Sequence, residues 1–111
     1  MAYTRVPNIR CRRCVQAREP FKGHNLEGRW EEREGVRMYV VRSYEWWPLF
    51  AYVNGVWFEN SDRYSVSTSK QRSQTHPHCD TVSVPHENLV MGLSSPISQA
   101  LGVYRVLASA S

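Results

Sequence analysis

Two apolar runs flank an Asn-Gly pair in Leu49-Phe50-Ala51-Tyr52-Val53-Asn54-Gly55-Val56-Trp57-Phe58-Glu59-Asn60. Because Asn and Gly both tolerate positive φ, this pair predicts a two-residue turn that joins strands 49–53 and 56–60 in a β-hairpin. Val53 then pairs with Val56, and successive side chains point to opposite faces. One face is expected to carry Leu49, Ala51, Val53, Val56 and Phe58, and the other Phe50, Tyr52 and Trp57.

Both faces of this hairpin are apolar, so both need a cover. We expect helices on one face. The sequence leaves three covers open for the other face: the remaining chain, a second subunit or a ligand. Burial under the C-terminal segment is the favoured interpretation.

The region before the hairpin predicts two more strands. Residues 26–32 carry apolar or small side chains at every second position, and residues 36–43 are rich in β-formers. Arg33-Glu34-Gly35 is typical of a turn between them, and residues 44–47 form an aromatic connection to the hairpin. We therefore predict an α+β fold with a four-stranded antiparallel meander and a few short helices.

Short helices and irregular segments are predicted on either side of the meander. A helix over roughly 9–18 is capped by Asn8 and ends at Glu19-Pro20. After a short edge strand at 81–84, Pro85 begins a helical turn that runs to about Met91, and a further helix covers 96–101. Residues 103–107 fit a strand or a helix. The 111 residues are expected to form a single domain, with an irregular basic arm at 1–8 and a tail at 91–111.

Positive charge is concentrated at the N-terminus. The net charge is +4, and residues 1–18 contain five arginines and no acid. Such a segment suits an anionic partner such as nucleic acid, with Arg10, Arg12 and Arg13 as the contacting residues. The alternative is a solvated helix face that only keeps the protein in solution.

The three cysteines do not form a convincing metal or redox site. Cys11 and Cys14 have the spacing of zinc ligands, but no second pair with finger spacing follows, and both fit the apolar face of the predicted helix. Cys79 lies between His78 and Asp80 without any nucleophile motif around it. We expect no metal, no cofactor and no enzymatic activity.

No apolar run approaches the ~20 residues that span a bilayer, and no signal peptide begins the chain. The expected compartment is a reducing cytoplasm, without membrane association.

A polar block follows the hairpin, and its side chains are suited to an anion. If Thr68 caps a short helix, Gln71 can complete a capping box, and free N–H groups and hydroxyls lie beside the cations. The predicted ligand-binding residues are Ser65, Ser67, Thr68, Ser69, Lys70 and Arg72, with Trp57 and Tyr64 as stacking rings. The ligand is expected to be a small anion or a nucleotide. The alternative is a capped surface loop.

The sequence around this block resembles a group of small proteins from bacteriophages, archaeal viruses and plasmids that carry a domain of unknown function. The resemblance rests on Ser43-Tyr44, on Tyr64-Ser65-Val66-Ser67-Thr68-Ser69-Lys70-Gln71 and on Pro20-Phe21-Lys22-Gly23-His24-Asn25-Leu26. It covers about residues 15–82, and the chain departs from the pattern of the group after about residue 90. It implies a viral or mobile-element origin, action in the host cell cytoplasm and a small α+β fold, and it supplies no activity.

Three functions therefore remain open. The favoured one is a phage-encoded, non-enzymatic module that binds a small anionic ligand, for example to sequester a host immune signal in counter-defence. The second is a nucleic-acid-binding protein that uses the N-terminal arginines. The third is a protein–protein inhibitor of a host factor that uses an exposed aromatic face. A homo-oligomer is compatible with each.

Overall fold

One mixed sheet contains every strand in the described part of the chain. The computed structural model describes residues 4–5, 7, 10–44, 46–62 and 72–94. Within these ranges seven strands form the sheet in chain order. The strands are β1 (Thr4–Arg5), β2 (Phe21–Gly23), β3 (Leu26–Arg33), β4 (Val36–Ser43), β5 (Trp47–Val53), β6 (Val56–Asn60) and β7 (Val82–Val84). The helices are α1 (Cys11–Ala17) and α2 (His86–Ser94), and residues 72–75 are also helical.

The predicted four-stranded meander is wrong, although the α+β class agrees with the structure. β3 to β6 are the four predicted strands, but β2 extends the antiparallel part, and β1 and β7 add parallel pairings at the two edges. Strands of two or three residues are too short to show an alternating pattern, and backbone pairing at a sheet edge defines them instead. The predicted edge strand near 81–84 is confirmed as β7, whereas the irregular arm at 1–8 is wrong at Thr4–Arg5.

The turn that anchored the prediction is present. Asn54 and Gly55 have φ of 50° and 84°, and Val53 pairs with Val56 as the two-residue loop requires. Left-handed φ at both positions is the geometry that matches the twist of the flanking strands.

The two faces of the sheet carry separate apolar clusters. We call the face with Phe50, Tyr52 and Trp57 the front face, and the face with Ala51 and Phe58 the back face. The prediction for Leu49 is wrong, because this side chain packs in the front cluster. The register between β4 and β5 shifts after Val41, so Leu49 lies in a bulge that breaks the alternation.

Each face is covered by one of the two helices. α1 packs Cys11, Cys14 and Val15 onto the front face, and α2 packs Leu89 and Leu93 onto the back face. The predicted Asn8 cap is wrong, because Arg10 is the N-cap residue of α1 and its side chain makes no capping hydrogen bond.

The predicted helix after Pro85 is confirmed and extends to Ser94, so residues 91–94 of the predicted tail belong to it. The helix predicted at 96–101 and the segment 103–107 lie outside the described residues. Neither helix with described bounds has the length and hydropathy that crossing a membrane requires.

Candidate functional site

Four aromatic residues form a continuous row across the front face. Trp30 pairs with Tyr39, Tyr39 with Tyr52, and Tyr52 with Trp57, so one residue from each of β3 to β6 contributes a ring. The ring centroids of Trp30 and Tyr39 are 5.5 Å apart, and those of Tyr52 and Trp57 are 5.1 Å apart. Tyr39 is fully buried, whereas Trp30 and Tyr52 are only partly buried. The outer surfaces of these two rings are thus closest to solvent.

The end of α1 lies on this aromatic row. Arg18 ends the helix in the left-handed conformation, and its carbonyl accepts a hydrogen bond from Trp30 Nε1 at 2.9 Å. The next carbonyl, of Glu19, accepts a hydrogen bond from the Tyr39 hydroxyl at 2.6 Å. Burial raises the pKa of Tyr39, so its hydroxyl stays protonated and remains a donor. These two bonds fix the backbone from which the Arg18 side chain extends.

Two arginines lie over the partly buried rings. The guanidinium carbon of Arg18 is 4.5 Å from the centroid of the Tyr52 ring, and that of Arg37 is 4.7 Å from the centroid of a Trp30 ring. Both distances are within the range of a cation–π interaction. Arg37 takes this position although Glu32 is its cross-strand partner in the register.

The three arginines predicted to bind nucleic acid have different environments. Arg10 and Arg13 are exposed. Arg12 instead donates from Nε to the carbonyl of His76 at 2.8 Å and from Nη2 to the carbonyl of Ser73. One turn later, Gln16 donates to the carbonyl of Pro77 at 3.1 Å. Arg12 therefore attaches α1 to segment 73–77.

The predicted ligand site can be followed at two residues only. Trp57 is 6% exposed and packs inside the front cluster, so little of its ring is accessible to a ligand. Arg72 donates to the carbonyl of Asn60 at 2.9 Å and lies 3.6 Å from a carboxylate oxygen of Glu59. Arg72 therefore has an acidic partner in Glu59. The other predicted residues, Tyr64, Ser65, Ser67, Thr68, Ser69 and Lys70, lie outside the described residues, as does the capping box at Thr68 and Gln71.

The cysteines of α1 are packing residues. Burial, and then the neighbouring Cys14 thiol, raise the pKa of Cys11 to about 12, and burial also raises the pKa of Cys14. Both thiols are therefore protonated at neutral pH. Within the described ranges, no group of three or more His, Cys, Asp and Glu side chains is arranged to hold a metal ion.

A pocket of about 190 Å³ lies at the turn between β2 and β3. Its lining residues are Lys22, Gly23, Asn25, Leu26, Glu27 and Tyr44. Because an ammonium and a carboxylate both line it, the pocket has no net preference for an anion.

The residues predicted for the site do not include Trp30, Tyr52, Arg18 or Arg37. The two turns carried part of the signal, because counting back from Gly35 and from Asn54-Gly55 pairs Trp30 with Tyr39 and Tyr52 with Trp57. The sequence carried no signal for the positions of the two arginine side chains, because that of Arg18 depends on how α1 packs and that of Arg37 depends on its rotamer.

Comparisons with known protein families, with curated proteins and with solved structures find no match. The resemblance to small viral and plasmid proteins therefore stays a prediction.

Proposed function

We propose that this protein is a non-enzymatic nucleic-acid-binding module that contacts the phosphate backbone through arginines on the α1 side of the sheet. The observation that carries the proposal is a set of arginine side chains on this side that have no acidic partner among the described residues. Across the described ranges, no carboxylate forms an ion pair with the guanidinium groups of Arg10, Arg13, Arg18 and Arg37.

Two arginines of the back face, Arg29 and Arg42, differ in this respect. Arg42 donates two hydrogen bonds to the Glu31 carboxylate, at 2.6 and 2.9 Å, and Arg29 donates one at 2.8 Å. Burial raises the pKa of Glu31, but the hydrogen bonds and charges of Arg42 and Arg29 outweigh it, and the pKa falls below its ordinary 4.5. Arg29 and Arg42 on the back face are therefore held by Glu31, whereas the four arginines on the α1 side keep their guanidinium groups for an external anion.

Arginine is suited to this role because its planar guanidinium donates several hydrogen bonds to phosphate oxygens. Binding that rests on phosphate contacts releases counterions, so it is expected to be of micromolar order and to weaken steeply with salt. The N-terminal charge excess that sequence analysis identified supplies the long-range attraction.

Fluorescence anisotropy with a labelled oligonucleotide of mixed sequence tests the proposal. The variant Arg10→Gln/Arg13→Gln removes two exposed charges from the α1 side and is expected to weaken binding about tenfold at low salt. The matched control Lys22→Gln/Arg33→Gln removes two charges whose register places them on the back face. The control is expected to bind almost as the wild type does. Equal loss in both variants, or no binding by the wild type at low salt, would refute the proposal.

A further inference from the structure

We infer that this interface is selective for single-stranded nucleic acid, and that two bases of the strand stack on the Arg18 and Arg37 guanidinium groups above the aromatic row. The inference rests on the proposed function and names the class of nucleic acid that the same surface takes. It starts from the two cation–π pairs, at 4.5 and 4.7 Å, which are held on one row of one sheet.

The first step is the chemistry of the two arginines. A guanidinium has two planar faces, of which at most one can stack on the ring that it lies over, Tyr52 for Arg18 and Trp30 for Arg37. The other face can receive a base, since bases stack on arginine planes as they do on aromatic rings. Such a sandwich needs no movement of the core, because the rings below are already packed against Tyr39 and Trp57.

The second step is the rigidity of the site. The hydrogen bonds of Trp30 and Tyr39 to the carbonyls of Arg18 and Glu19 fix the chain at the end of α1. Arg37 is the second residue of β4, paired with Glu32 of β3 and next to the buried Met38. Both side chains thus extend from ordered backbone, which does not have to be fixed when a base binds.

The third step is the distance between the two stacking positions. Trp30 and Tyr52 lie on β3 and β5, with Tyr39 of β4 between them. Neighbouring strands are about 4.8 Å apart, so the two positions are roughly 10 Å apart. Bases of a duplex are stacked about 3.4 Å apart and cover each other's faces. An opened single strand can place two unstacked bases at the larger distance, whereas a duplex cannot.

The experiment compares a labelled oligothymidylate of about 20 nucleotides, alone and annealed to its complement, by anisotropy at one low salt concentration. We expect the single strand to bind at least about tenfold more tightly than the duplex, from two stacked bases. The variant Arg18→Lys/Arg37→Lys keeps both charges but removes the planar groups. It is expected to lose at least about fivefold in single-strand affinity and to leave duplex affinity unchanged.

An oligonucleotide of the same length with abasic sites in place of bases gives a second measurement that needs no variant. It keeps the phosphates, so the wild type is expected to bind it as weakly as it binds the duplex. Equal, salt-dependent binding of the single strand, the duplex and the abasic strand would overturn the inference and leave the proposed function standing. Absence of binding to all of them would overturn both.

Discussion

Gly28 is the position at which a single methyl group should disturb both the core and the end of α1. A Cβ added there would be 2.5 Å from the Tyr39 hydroxyl oxygen, 2.9 Å from Phe21 Cδ1 and still closer to Phe21 Cε1. Normal contacts between such atoms are about 3.5–4.0 Å. Phe21 and Tyr39 are both fully buried, so neither ring can move into free space.

The expected cost of Gly28→Ala has two parts. Overpacking of a dense core costs about 1–3 kcal/mol. Displacement of the Tyr39 hydroxyl from the Glu19 carbonyl costs about 1 kcal/mol more. We therefore expect a loss of about 2–4 kcal/mol in the free energy of unfolding, and a fall of about 10 °C or more in Tm. Urea unfolding followed by tryptophan fluorescence measures the first quantity.

The matched control is Gly35→Ala. A Cβ at Gly35 meets nothing within 4 Å, and the only penalty is the left-handed φ of 78°, which costs about 1 kcal/mol. Both substitutions reduce the entropy of the unfolded chain equally, so this term cancels in the comparison. Adding Tyr39→Phe to Gly28→Ala removes one of the two clashes, so the double variant should lose less than the sum of the single losses. A Gly28→Ala variant as stable as Gly35→Ala would refute the packing described here.

Three further predictions concern acid, a backbone anchor and the thiols. Because the pKa of Glu31 is lowered in the folded state, its contribution to stability is complete above pH 4.5 and is lost as the pH falls below it. In urea titrations at several pH values, Glu31→Gln should be less stable than the wild type at neutral pH, and its stability should depend less on acid. A stability profile in acid that is the same as that of the wild type would contradict this. Arg12→Gln removes the hydrogen bonds to the carbonyls of His76 and Ser73; hydrogen exchange in segment 73–77 should then become faster while exchange in α2 does not, and equal effects in both would argue for general destabilisation. Of the three thiols only Cys79 is exposed, so a thiol reagent should modify one cysteine per native chain and all three after unfolding, and rapid native modification of a second one would show that α1 is not packed as described.

The hairpin at 49–60 could be predicted because its determinants are local. Asn54-Gly55 fixes the turn, the turn fixes the register, and the register assigns the apolar residues from Phe50 to Phe58 to the correct faces. Leu49 could not be placed in the same way. Its bulge depends on the pairing of β5 with β4, and no residue within the hairpin predicts this bulge.

The β1–β2 edge of the sheet was not predicted, for a related reason. β1 and β2 have only two and three residues, and they are joined to the sheet by backbone hydrogen bonds that any side chain allows. Sequence periodicity indicates which side chains are buried, and it does not predict backbone strand pairing in such short segments.

The candidate site was predictable in its charge and not in its geometry. The excess of arginine near the N-terminus was visible directly. Long-range contacts decide which arginines are available to a ligand. Arg12 is hydrogen-bonded to segment 73–77, and Arg72 forms an ion pair with Glu59. Sequence distance gives no indication of either contact.

The salt dependence of nucleic-acid binding is the most direct measure of the proposed contacts between arginines and phosphates. The slope of the logarithm of Kd against the logarithm of salt concentration counts the phosphate contacts, at roughly 0.7 per contact for a single strand. We expect a clear slope for the wild type and a slope smaller by roughly 1.4 for Arg10→Gln/Arg13→Gln, which lacks two phosphate contacts. A slope that is the same in both proteins, or a wild-type affinity that does not change with salt, would contradict it.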